Sequence, residues 1–76
     1  MRIKRSEDGL ILSLNKDFYN KDALDLAVRD FSRVCRVSGL DKGGYHLVRF
    51  SGLEAGELKE IALEFANYAL SIMKAK

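Results

Sequence analysis

The chain has no proline, and its one cysteine, one histidine and lack of any long apolar run each close a class of function. A single cysteine excludes an intramolecular disulfide framework and any multi-cysteine zinc or iron–sulfur site within one chain. A single histidine excludes the paired-histidine metal motifs. Neither linker, internal repeat nor low-complexity tract interrupts the sequence. No stretch approaches the roughly 18 consecutive apolar residues of a membrane span. Arg2, Lys4 and Arg5 begin the chain on a basic note, but Ser6-Glu7-Asp8-Gly9 follows at once. The run Leu10–Leu14 is too short for a signal-peptide core, so the expectation is a cytoplasmic protein with Cys35 reduced. Charge of one sign is lacking too. Thirteen Lys+Arg against eleven Asp+Glu leave +2, too balanced to mark a nucleic-acid binder by charge alone.

What remains is a globular composition, 47% hydrophobic and 32% charged over 76 residues. That length allows one domain around one small core, burying about 60% of the unfolded surface. Leu10, Leu12 and Leu14 alternate and predict a strand over 10–14. Asp8-Gly9 before it is turn chemistry, which offers Arg2–Arg5 as a short hairpin partner. Arg-Ile-Lys-Arg has little to bury, however, and the expected sheet is built without it.

A helix follows over 20–33. Asn20 is suited to its N-cap, Tyr19 can staple onto Leu24, and Asp22 and Asp25 favour the positive end of the helix dipole. Leu24, Ala27, Val28 and Phe31 then fall on one stripe. Next, alternation over 35–40 and 45–50 around Asp41-Lys42-Gly43-Gly44 predicts a hairpin. Cys35, Val37, Val48 and Phe50 face inward; Arg36, Tyr45, Leu47 and Arg49 face the other way. The last helix spans about 54–74, firm from Glu57 to Met73, with Ser51-Gly52-Leu53-Glu54 reading as a capping box. Leu58, Ile61, Ala62, Phe65, Ala69 and Ile72 form its core stripe.

The order β-α-β-β-α predicts an α+β two-layer sandwich, a three-stranded sheet with both helices on one face. The crossover should set the first two strands parallel and adjacent. Leu12, Val28, Phe31, Val48, Ile61 and Phe65 are the expected core.

From Leu10 onward the chain resembles the HxsD family, small proteins of the His-Xaa-Ser peptide-maturation system. The resemblance rests on the strand, the Phe18-Tyr19-Asn20 helix start, the hairpin and the run Leu63-Glu64-Phe65-Ala66-Asn67-Tyr68-Ala69-Leu70. It covers about residues 10–74. Ser71-Ile72-Met73 stands where family members tend to carry further charges, which suits a divergent member. Family members are encoded beside radical S-adenosylmethionine enzymes and a peptide with His-Xaa-Ser repeats. The resemblance therefore implies an accessory role in peptide modification, with a maturation enzyme or precursor peptide as partner. It supplies no catalytic residue.

The residues themselves point away from an enzyme, a metal site or a cofactor. Cys35 reads as a packed core thiol, since a helix C-terminus before it disfavours the thiolate. His46 reads as a hydrogen-bonded structural histidine, and Asp41 as a residue capping its own turn. Asp41-Lys42-Gly43-Gly44 precedes a strand and so is no phosphate loop. Glu57, Glu60 and Glu64 share one side of a helix without histidine, as a solvated face does.

Two surfaces are the candidate sites. Arg36, Tyr45, Leu47 and Arg49 on the open sheet face are a candidate ligand-binding set. Arginine beside tyrosine there gives the alternative reading, a small nucleic-acid-binding domain. On the last helix the apolar side chains span an arc of roughly 220°, wider than packing on one sheet needs. Leu63, Ala66 and Leu70 on its far flank are the expected interface, homodimeric or with a protein partner.

Overall fold

The computed structural model describes residues 2–75. Leu10, Leu12 and Leu14 are fully buried on one side of a strand, β2 (Gly9–Asn15), as their alternation requires. The sheet has four antiparallel strands where the sequence reading counts three. The addition is β1 (Arg2–Ser6), which folds back on β2 through Glu7-Asp8 and pairs Ile3 with Leu12. An edge strand needs only one pairing partner. Ile3 reaches the core, while Arg2, Lys4 and Arg5 stay exposed and protect the edge by charge. Neither Glu7 nor Asp8 takes a positive φ. Gly9 is needed for another reason: a Cβ there would lie 2.0 Å from the Phe50 carbonyl oxygen.

Helix α1 (Lys21–Phe31) starts where the sequence places it. Asn20 Oδ1 accepts from the Ala23 amide at 2.7 Å, a cap that contributes about 1 kcal/mol. Strands β3 (Arg36–Lys42) and β4 (Tyr45–Ser51) join through Gly43-Gly44, where Gly43 holds φ at 58°. The strand order is β1-β2-β4-β3. The expected adjacency of 10–14 with 35–40 is therefore wrong, although the two strands do run in the same direction. β4 stands between them because His46, Val48 and Phe50 all bury, whereas β3 has only Val37 and the preceding Cys35 to offer the core.

Helix α2 (Ala55–Lys74) has Glu54 at its N-cap without a side-chain cap bond, so the capping box does not form. Ser51 is held in the sheet opposite Gly9 and Arg36, and Gly52 at φ 95° turns the chain before the helix begins. Both helices cover one sheet face. Leu24 and Ala27 of α1 and Leu58, Ala62, Phe65, Ala66 and Ala69 of α2 share one core with the buried residues of β2 and β4, α1 lying toward β3 and α2 over β2 and β4. Leu12, Val48 and Phe65 are buried as expected; Val28, Phe31 and Ile61 are half-buried at the margins of a layer two helices wide. Phe65 meets both Phe50 and Phe31 edge-to-face, each at 5.3 Å between ring centroids. These rings tie the sheet, α2 and α1 together.

Candidate functional site

The other sheet face has no covering layer. Alternation from the buried positions puts Tyr45, Leu47 and Arg49 of β4 on it, with Arg36 of β3 at one end. The four residues singled out from the sequence thus share one surface. The pairing register adds the rest. Lys4, Ile11, Arg49 and Ser38 lie side by side across the sheet, and Arg2, Ser13, Leu47 and Leu40 form the next row. Lys42 stands beside Tyr45 at the hairpin end. Leu40 is 66% exposed and Tyr45 49%, while Ile11 and Leu47 are half-buried between neighbours. Arg2, Lys4, Leu40 and Lys42 were missed. Alternation from Arg36 through Ser38 leads to Leu40 and Lys42, and Arg2 and Lys4 belong to the hairpin partner that Asp8-Gly9 offers but the three-stranded sheet leaves out.

The edges of the sheet differ. Three of the five residues of β1 are cationic. β3 pairs only with β4, and its middle, Val37-Ser38-Gly39-Leu40, carries no charge. On the inner side Gly39 stands opposite Val48, and a Cβ there would have nothing within 4 Å. The missing side chain opens a groove of about 450 Å³ between β3 and α1, lined by Leu24, Val28 and Val48 with Lys21 and Asp25 at its rim.

His46 is 7% exposed, and its Nδ1 hydrogen-bonds Asp41 Oδ1 at 2.8 Å. Lys16 Nζ lies 3.8 Å from the other carboxylate oxygen. The His46 bond, aided by Lys16, holds the Asp41 carboxyl below the usual carboxylate range. Asp41 is thus a strand residue bonded across the pair, not the cap of its own turn. Cys35 lies six residues along the chain from Asp41, about 20 Å at the rise of a strand, so no Cys–His dyad exists. The half-buried thiol is pushed up by desolvation. Among the described residues no three His, Cys, Asp or Glu side chains are grouped to hold a metal ion. Glu57, Glu60 and Glu64 are exposed along α2.

On α2 the expected seam is broken in the middle. Ala66 is 4% exposed and belongs to the core, because the helix presents it to the sheet between Phe65 and Ala69. Leu63 is 39% exposed and Leu70 half-buried. No helix is long and apolar enough to cross a membrane among the described residues. No family model matches the chain, and neither a curated protein nor a solved structure matches it.

Proposed function

We propose that this protein is a non-catalytic interaction module that takes an extended peptide along β3, in the radical-enzyme-dependent peptide modification its HxsD resemblance implies. The observation that carries the reading is the unpaired edge of β3, whose middle, Val37–Leu40, is free of charge beside the slot at Gly39. An added strand gains affinity from main-chain hydrogen bonds and specificity from pockets for alternate side chains. Here the edge supplies the first. The groove under α1, walled by Leu24, Val28 and Val48, supplies the second. The opposite edge is unsuited, because Arg2, Lys4 and Arg5 crowd it with charge.

The test is titration of 15N-labelled protein with a synthetic peptide of His-Xaa-Ser repeats. Amide shifts should concentrate on Val37–Leu40. Gly39→Val fills open space with a good strand former, so it should keep the melting temperature and weaken binding about tenfold. Absence of binding, or equal binding by Gly39→Val, would defeat the reading.

A further inference from the structure

Charge is sorted between the two faces of this protein although its total is nearly balanced. Arg2, Lys4, Arg36, Lys42 and Arg49 all take outward positions on the open sheet face. No carboxylate joins them among the described residues. Glu7 and Asp8 lie in the first hairpin turn, Asp41 is turned inward to His46, and the other eight acids sit on or beside the helices. Like charges gathered on one sheet face repel across strands and weaken the fold slightly. An anionic occupant reverses that cost.

Within the cations lies an aliphatic centre, Ile11, Leu47 and the exposed Leu40, flanked by the single ring of Tyr45. A nucleic-acid strand needs flat rings for its bases and has no aliphatic surface to set against leucines. An acidic polypeptide brings both chemistries. Four strands at about 4.8 Å spacing give a face about 14 Å across, the width that one helix of 10–12 Å diameter fills. We propose that this face docks an amphipathic helix of a protein partner, its apolar stripe on Ile11, Leu40 and Leu47 and its flanking carboxylates on Lys4, Arg36, Lys42 and Arg49. This surface shares β3 with the peptide edge but uses outward side chains of β3 and not its main chain, so it stands whether or not that edge takes a peptide.

The experiment uses two synthetic 18-residue helical peptides with the same leucine stripe, flanked by Glu in one and Lys in the other, and a 15-nucleotide oligo-dT. The Glu peptide should bind and shift the amides of Ile11, Ser13, Leu47 and Arg49. The Lys peptide should bind at least about tenfold more weakly, since like-charge juxtaposition opposes it. Lys4→Glu with Arg49→Glu changes only exposed side chains and should weaken the Glu peptide by about tenfold or more. Leu40→Ser should weaken it as well, and Gly39→Val should not. Equal affinity for the two peptides, no binding of the Glu peptide, or shifts confined to α1 and α2 would overturn the proposal. So would tighter binding of oligo-dT with steep salt dependence, which would make the face a nucleic-acid site.

Discussion

Tyr68 on α2 donates its hydroxyl proton to Asp30 near the end of α1, and its ring leans on Phe31 at 5.6 Å between centroids. That contact closes one flank of the wide apolar arc on α2. A residue that looks surplus on a helical wheel is in fact the bridge between two helices. What stays outside on the other flank is Leu63 and part of Leu70.

The Tyr68–Asp30 bond should give stability a definite pH window. The bond from Tyr68 holds the Asp30 carboxyl below its ordinary value, so its contribution is present above the usual carboxylate range and disappears in acid. The same bond pushes the Tyr68 hydroxyl up, so its contribution is intact below the ordinary tyrosine value and lost in alkali as that hydroxyl ionises. Tyr68→Phe keeps the ring and removes the bond. It should lower the melting temperature near pH 7, and the gap from the unmodified protein should narrow as the pH falls below the usual carboxylate range and again as it rises into alkali. A gap that is constant across pH would show the bond to be without weight.

Phe65 is the keystone of the core. It is fully buried between Phe50 and Phe31. Phe65→Ala should cost about 3–5 kcal/mol by lost burial and cavity formation. A chain of this size has only about 4–11 kcal/mol to lose. The variant should show no stable folded baseline in urea at 37 °C. Phe65→Leu, closer in volume, loses both ring contacts but leaves a smaller cavity, so it should cost less than Phe65→Ala and still unfold cooperatively.

Most of the layer architecture was legible because it rests on side-chain periodicity: Leu10-Leu12-Leu14, the Asn20 cap and the stripe from Leu58 to Ile72 all announce themselves. β1 did not, because an edge strand is held by backbone pairing and needs no apolar alternation; Ile3 alone carries its packing. The order of strands escaped for a related reason. Alternation already turns His46 inward with Val48 and Phe50, but which strand of the hairpin takes the central place is settled only by packing, where β4 buries three side chains and β3 offers little beyond Val37. The basic face was hidden twice, by a balanced total charge and by the uncredited strand that contributes Arg2 and Lys4. The seam on α2 failed at Ala66, which is small enough to look neutral on a wheel but lies against the sheet.

Gly9 tests the pairing of the two central strands. Its φ is not positive, so the demand for glycine comes from the close passage of the Phe50 carbonyl. Gly9→Ala should push β2 from β4 and cost about 1–3 kcal/mol, as overpacking does. Gly56→Ala is the control, since nothing lies near its missing Cβ and the site is helical; it should stabilise by about 0.5–1 kcal/mol. Urea midpoints moving in opposite directions would bear out both assignments, and a neutral Gly9→Ala would refute the close approach.

Self-association through α2 is the last measurable consequence. With Ala66 inside, a pair of helices would meet through Leu63 and the outer part of Leu70 alone. A fully buried leucine contributes about 1.5–3 kcal/mol, and these two are already partly covered in the monomer. Association entropy takes at least about 4 kcal/mol. A homodimer on this surface is therefore weak: the chain should sediment as a monomer at micromolar concentration and gain mass only toward millimolar. Leu63→Glu alters an exposed position, leaves the core intact and should abolish the gain. Leu70 is half-buried, so a charge there would confuse lost association with lost stability, which makes the single change the cleaner probe. A stable dimer at micromolar concentration that survives Leu63→Glu would place the contact elsewhere on the molecule.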